Sequence, residues 1–131
     1  MANPNIVNVT SILGETTFLT PSATTSVVLL PNAASSGKVY KINQIVAANV
    51  DGASAVNTSV DIYTNGAVAQ GSAPSSGTAY PIVSTVSVPA DASLIVADKT
   101  TAIYLMENTS IAVTSGTASK ITYTISYEII S

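Results

Sequence analysis

The residues just before the terminal serine form the most regular hydrophobic pattern in the chain. In "KITYTISYEII", residues 120–130, the apolar positions Ile121, Tyr123, Ile125 and Tyr127 alternate with threonine and serine. A period of two places alternate side chains on opposite sides of an extended strand, so that one side can be buried. A frayed segment would not keep this pattern. We therefore expect a strand of a sheet here, with these four apolar side chains in the core.

The rest of the chain contains shorter segments of the same kind. Val, Ile, Thr and Tyr dominate them, and these residue types suit a half-buried sheet. Gly, Pro, Asn, Asp or Ser bounds each one, as expected at turns. The candidate strands are residues 6–10, 17–20, 26–30, 38–50, 58–64, 80–88, 93–97, 102–106, 110–114 and 120–130. Short strands at this spacing are typical of a sandwich or barrel, and we predict an all-β fold: a single antiparallel β-sandwich, jelly-roll-like.

The beginning of the chain differs from the remainder. One short alternating segment is followed by irregular polar sequence, which favours an extended N-terminal arm over residues 1–24 and a β-sandwich domain over residues 25–131. In this interpretation Ile6, Val7 and Val9 bind a partner by adding a strand to the sheet edge of a neighbouring chain. The alternative is an ordinary first strand of the same sheet.

Residues 65–78 are a low-complexity segment built only from Gly, Ala, Ser, Pro, Thr, Val, Asn and Gln. The composition indicates a long mobile connection, either a plain linker or a recognition loop at the tip of the sandwich. Small residues offer little contact area, which favours the linker. Tyr63 lies just before this segment. It is two residues after Asp61, so both side chains lie on the same side of a strand, and Tyr63 is a candidate for an outward contact with a partner.

Composition excludes several classes of partner. Charged residues make up 8% of the chain, with four lysines, no arginine, seven acidic residues and a net charge of −3. A surface that follows nucleic acid needs clustered Lys and Arg, so we expect no nucleic-acid partner. Hydrophobic residues amount to 47% but are interleaved with polar ones. Because no apolar run of about 20 residues occurs, we expect no membrane partner.

The residue types for most enzyme chemistry are missing. The chain has no histidine and no cysteine, which removes the usual general base, the thiolate nucleophile and the commonest transition-metal ligands. Asp51, Asp61, Asp91 and Asp98 lie in or beside turns or on polar strand faces, where solvated surface acids are expected rather than a catalytic pair. We therefore expect no enzyme, no catalytic residues, no metal site and no cofactor.

One long stretch resembles a known group of proteins. The segment "VPADASLIVADKTTAIYLMENTSIAVTSGTASKITYTISYEIIS", residues 88–131, is similar to a recurring pattern in small structural proteins of tailed bacteriophages, especially those of marine cyanobacteria. Shared features are a V-P-A turn, an "IYL" segment with an acidic residue after it, a "SI.V" strand, an "SG.AS" turn and a terminal strand. The segment "GKVYKINQIVAANVDG", residues 37–52, resembles the strand that opens the same domain. The chain departs from the pattern at its end, where "YEIIS" replaces "YEEI".

The resemblance implies a non-enzymatic virion structural protein, specifically a bacteriophage capsid decoration or cement protein. Such a protein would bind the lattice of the major capsid protein and copies of itself, stabilise the head, and lie on the capsid surface after synthesis in the host cytoplasm. The resemblance assigns no functional residue to this chain, since the shared features are those of a β-sandwich. The alternative is a tail or tail-fibre module that binds a host receptor or glycan.

Overall fold

The structure is a computed structural model, and it describes residues 10–131. Within these residues the chain forms strands joined by turns, together with a single 3₁₀ turn at Lys99–Thr101. The strands are β1 (Ile12–Leu19), β2 (Val27–Asn32), β3 (Val39–Asn49), β4 (Val56–Tyr63), β5 (Ala79–Val88), β6 (Ser93–Ala97), β7 (Ile103–Leu105), β8 (Thr109–Ser115) and β9 (Ile121–Ile130).

The strands form two sheets that pack face to face. Sheet A has the order β1-β9-β3-β6, and β7 pairs with β3 on the same side as β6. Sheet B has the order β2-β8-β4-β5. All of these pairings are antiparallel, and the two inner faces supply one hydrophobic core. The prediction of an all-β, antiparallel β-sandwich is confirmed.

The terminal strand is central because it has a neighbour on each side. β9 pairs with β1 along one side and with β3 along the other. Ile121, Tyr123 and Ile125 are fully buried, and Tyr127 is 6% exposed. The prediction that these four side chains belong to the core is confirmed, and it explains the regular alternation of this strand.

Two buried asparagines join the sheets at the strand ends. The Asn49 side chain, at the end of β3, donates to the carbonyl oxygens of Val88 and Ser54, each at 2.9 Å. The Asn32 side chain, at the end of β2, donates to the carbonyl oxygen of Leu105 at 3.0 Å. Each amide therefore links a strand of one sheet to a strand of the other, and a buried amide is stable only when it is bonded in this way.

Sheet A begins within the segment that was predicted to be an arm. β1 pairs with β9 from Ile12, opposite Ile130, to Leu19, opposite Tyr123. The predicted boundary between residues 24 and 25 therefore does not coincide with the start of the sheet. β1 is an edge strand with most side chains exposed, so it lacks the alternation that would have marked it. Ile6, Val7 and Val9 lie outside the described residues, and their pairing with a neighbouring chain stays a prediction.

Residues 65–78, here named the strap, connect β4 to β5 by way of the free side of β2. The Val28 backbone N–H donates to the Ser72 carbonyl at 2.9 Å, and the Gly71 N–H donates to the Val28 carbonyl at 2.8 Å. The Ser110 hydroxyl donates to the Asn65 carbonyl at 2.9 Å. These bonds tie the segment to sheet B, in contrast to the mobile connection that composition indicated.

Candidate functional site

The outward side chains of β9 are small and uncharged over most of the strand. Thr122, Thr124 and Ser126 alternate with the buried core residues and point away from sheet B. Because β9 is central in sheet A, these side chains form the middle of its outer surface. Glu128 follows at one end of this surface, opposite Lys41 of β3.

The strand register of sheet A places apolar side chains on both sides of these β9 residues. Thr124 lies opposite Phe18 of β1 and opposite Val46 of β3, and Val46 lies opposite Ile95 of β6. Phe18 is 69% exposed and Ile95 is 58% exposed, on the two edges of the sheet. One row of side chains thus runs across four strands with an apolar residue at each end.

Hydroxyl pairs lie on either side of this row. The Thr20 and Thr122 hydroxyl oxygens are 2.8 Å apart, and those of Thr16 and Ser126 are 3.0 Å apart. The name outer face of sheet A is kept here for the part of this surface that ends at Thr16, Ser126 and Gln44, before the pair Glu128 and Lys41, and none of its residues is ionisable. They are Thr16, Phe18, Thr20, Gln44, Val46, Ala48, Ser93, Ile95, Thr122, Thr124 and Ser126.

A depression of about 480 Å³ adjoins this face beside the 3₁₀ turn. Asp98 caps the turn: its carboxylate accepts from the Thr100 backbone N–H at 2.9 Å and from the Thr100 hydroxyl at 2.5 Å. These bonds to Thr100 lower the pKa of Asp98 below its ordinary value. The carboxylate therefore has a structural partner already. The depression is lined by Asn43, Gln44, Asp98, Lys99, Thr100 and Ser126.

Tyr63 lies on the opposite side of the molecule from the outer face of sheet A. It is half-buried at the end of β4, opposite Ser110 and Ala79. A side chain added at Gly77, in the strap, would come within 3.3 Å of its ring. Tyr63 points to the same side of sheet B as Asp61, as its period indicated, but its contact with a partner stays a prediction.

The outer side of sheet B is covered where β2 and β8 adjoin. Val28 and Ala112 lie opposite each other and point away from the core, yet both are fully buried. Asp61, opposite Ala112, is half-buried, and its pKa is raised because burial disfavours the charged carboxylate. The two outer surfaces therefore differ: sheet B is covered at this position, while the outer face of sheet A is exposed along its edges.

The titratable groups of the described residues do not gather into a reactive cluster. Lys120 Nζ and Asp51 Oδ2 are 4.0 Å apart, a surface ion pair. The Tyr127 hydroxyl donates to Glu15 Oε2 at 2.9 Å. The pKa of Tyr127 is raised above its ordinary value, first by burial and to a smaller extent by this bond. Over residues 10–131 no group of three or more Asp, Glu, His or Cys side chains could hold a metal ion.

Sequence reasoning missed the outer face of sheet A. Its members come from β1, β3, β6 and β9, which are distant in sequence, and only the register brings them together. The available signal was local: Thr122, Thr124 and Ser126 alternate with the predicted core residues of β9 and therefore lie on its outward side.

Comparison with models of known protein families, with curated proteins and with solved structures found no match for this chain. In the described part of the chain, no helix is long and apolar enough to cross a membrane.

Proposed function

We propose that this chain is a non-enzymatic bacteriophage virion protein that decorates the capsid and acts as a cement. The resemblance of residues 88–131 to small structural proteins of tailed phages motivates the proposal. The observation that carries it is the outer face of sheet A, an uncharged surface whose middle is half-buried and whose edges, at Phe18 and Ile95, are exposed. The proposed partners are the major capsid protein and copies of the chain itself, on the capsid surface.

The order of the strands also supports this proposal. If β6 and β7 count as one broken strand, each sheet has four strands. Over residues 10–131, the connections between consecutive strands then cross from one sheet to the other, except the connection from β4 to β5, which stays within sheet B. Strands that alternate between two four-stranded sheets in this way are the arrangement we interpret as a jelly roll. Jelly rolls occur in viral capsid domains, and also in lectins and cupins. The fold therefore supports a virion role by analogy.

The proposed mechanism is adhesion through many weak contacts. Threonine and serine hydroxyls, together with apolar side chains such as Val46, can bind a flat capsid surface without the cost of removing charges from water. A protein that contacts several lattice subunits gains avidity, because each further contact forms at high effective concentration. Any ligand that binds only the intact lattice stabilises that lattice by mass action.

The test adds charge to the proposed binding face. Thr124→Lys combined with Ile95→Lys places two lysines on the outer face of sheet A without touching the core. The matched control, Thr114→Lys with Ser87→Lys, places the same charge on the outer side of sheet B, again at one half-buried and one exposed residue on strands that are separated by another strand, here β4. Cosedimentation with expanded heads of the phage that encodes the chain measures binding. We expect the first variant to lose binding and the control to keep it; equal binding by both would contradict the proposal.

One observation favours a tail or tail-fibre module as a second candidate. The depression beside the 3₁₀ turn offers the amides of Asn43 and Gln44 and the carboxylate of Asp98, groups that can bind sugar hydroxyls. Its lining includes no aromatic ring on which a sugar could stack. Adsorption of the purified protein to host cells, abolished by Gln44→Ala, would support this candidate over capsid decoration.

A further inference from the structure

Three of the four sheet edges carry features that prevent another strand from pairing. Along β2, the strap already bonds to Val28. β5 contains Pro81, which has no N–H, and Thr85 with a φ of 52°, which interrupts the regular edge. The edge formed by β6 and β7 is split into short pieces by the turn at Lys99–Thr101. Such features are how sandwich proteins avoid edge-to-edge association.

The fourth edge, β1, carries one contact of this kind near its end, where the Gln70 side chain of the strap donates to the Thr17 hydroxyl at 3.0 Å and to the Phe18 carbonyl at 3.5 Å. The strand otherwise has none of these features. Its eight residues contain no proline and no lysine, and they pair with β9 without a register shift. Over residues 10–131, no strand pairs with its other side. Ile12, Leu13 and Phe18 are each more than half exposed. A long, regular and apolar edge strand is the kind of surface that pairs with another strand.

The hydrogen-bond pattern fixes which residues of β1 face the free side. Ser11 and Ser131 exchange two backbone bonds, Ser11 N–H to Ser131 O at 3.1 Å and Ser131 N–H to Ser11 O at 3.0 Å. In an antiparallel pair the direction alternates with each residue. Ile12, Gly14, Thr16 and Phe18 therefore direct their backbone N–H and C=O groups to the free side.

We propose that β1 pairs antiparallel with β1 of a second copy of this chain, around a two-fold axis at Thr16. The pairing would join the two A sheets into one continuous sheet. In this register Thr16 lies opposite its own counterpart, Phe18 lies opposite Gly14 of the second copy, and Leu13 lies opposite Leu19. Residues that direct their backbone groups outward then meet one another, as an antiparallel ladder requires.

Side chains disfavour the adjacent register that has its axis at Glu15. Shifting the axis to Glu15 would set two carboxylates directly opposite each other, which destabilises a strand pair. With the axis at Thr16, Glu15 lies opposite Thr17 instead. Gly14 has no atom within 4 Å of the position that a Cβ would take. That space accommodates the Phe18 ring of the second copy, since an aromatic residue across from a glycine stabilises a sheet edge. The inference does not rest on the proposed function, because no capsid is needed for it.

The first test uses charge across the axis. Thr16 is exposed, so Thr16→Lys and Thr16→Glu should both fold, which circular dichroism checks. Each variant alone places like charges opposite each other at the axis. Sedimentation-velocity ultracentrifugation should show a dimer for the unchanged chain, monomers for each variant, and a restored dimer when the two variants are mixed.

The second test uses a disulfide, since the chain has no cysteine of its own. In a hydrogen-bonded antiparallel pair the Cα atoms are about 5.5 Å apart, within the span of a disulfide. Thr16→Cys should give a covalent dimer on mild oxidation, and the control Ser87→Cys on β5 should not. A monomeric unchanged chain, or a dimer that survives both Thr16→Lys and Thr16→Glu, would overturn the proposal. So would a dimer that dissociates on deletion of residues 2–9 but resists the Thr16 variants.

Discussion

At the scale of single residues, Tyr123 carries a hydroxyl that joins the two sheets inside the core. The side chain comes from β9 in sheet A and is fully buried. Its hydroxyl donates to the Thr114 carbonyl of sheet B at 2.8 Å and bonds to the Thr58 hydroxyl of the same sheet. Burial raises the pKa of Tyr123 to about 12, the Thr58 bond acting in the opposite direction. The residue therefore stays neutral at any ordinary pH and acts as a polar crosslink.

Tyr123→Phe should lower the free energy of unfolding by about 1–3 kcal/mol, because the buried Thr58 hydroxyl loses its partner. Adding Thr58→Val removes that hydroxyl as well, so the double variant should lose less stability than the sum of the two single variants. Urea unfolding of the four proteins measures this coupling. Strictly additive losses would show that the two hydroxyls do not interact.

Asp61 gives a pH dependence with a definite sign. Its pKa in the folded chain is raised from the usual 3.8 by burial, so the folded state binds a proton more readily than the unfolded state. Stability should therefore fall as pH rises through the folded-state pKa. Asp61→Asn should be at least as stable as the unchanged chain at pH 7, with the difference vanishing below pH 3.8. Thermal unfolding across this pH range measures the difference; a less stable variant at pH 7 would contradict it.

Asp98 is the matched control with the opposite sign. The bonds from Thr100 lower its pKa below the usual 3.8, so its contribution to stability is present above that pH and is lost as pH falls through the folded-state value. Asp98→Asn should destabilise the chain at pH 7 and have no effect in strong acid. If Asp61→Asn and Asp98→Asn changed stability at pH 7 in the same direction, the burial of Asp61 or the Thr100 bonds of Asp98 would not have the effects described.

At the scale of elements, the strap shows how small residues can be ordered by backbone contacts. Its Gly66 approaches the end of β2 so closely that an added Cβ would lie 2.0 Å from the Asn32 carbonyl oxygen. The Gly66 N–H also bonds to the Asn108 side chain at 3.3 Å. Glycine is needed here for close approach of two backbones, which no other residue type allows.

Gly66→Ala should cost about 1–3 kcal/mol of stability, because the new methyl group overlaps backbone atoms that have to move. Gly52→Ala is the control: its Cβ comes no closer than 3.5 Å to the side chain of Asp91, and the change should be neutral or stabilise the chain by about 0.4–1 kcal/mol. Thermal unfolding compares the two. If Gly66→Ala unfolded at the same temperature as Gly52→Ala, the strap would not be packed against β2.

The elements also show what the sequence can predict. β9 and β3 have alternating patterns because one face of each is buried, and both were predicted to within a residue at each end. β1 was predicted only at residues 17–20, since an exposed edge strand has no buried face to impose a period. The order of the strap depends on backbone bonds that composition does not reveal. The outer face of sheet A depends on register between distant strands, so local patterns could supply only its middle.

At the scale of the whole molecule, the two outer surfaces of the sandwich differ. Sheet B is covered over β2 and β8, where Val28 and Ala112 are fully buried. The outer face of sheet A contains no ionisable residue, and the proposed β1 pairing would extend it across two copies. A molecule of this kind has one surface suited to broad neutral contacts, which is the side we propose to meet the capsid.

Capsid binding should depend little on salt. The whole chain has four lysines and seven acidic residues, and none of them belongs to the outer face of sheet A, at whose end Lys41 and Glu128 lie opposite each other. Screening by added salt weakens interactions between exposed charges, while hydrogen bonds and apolar contacts are little affected. Cosedimentation with expanded heads at low and high sodium chloride should therefore give similar bound fractions. A steep fall in binding with salt would indicate an interface made of ion pairs.

A cryo-electron microscopy reconstruction of the phage particle tests most directly whether the chain decorates the capsid. We expect density for this β-sandwich on the outside of the head, in many copies, with the Thr124 and Val46 side chains of sheet A directed at the major capsid protein. Density for the sandwich at the tail alone, or on the head with the strap directed at the capsid and the outer face of sheet A in solvent, would contradict this expectation.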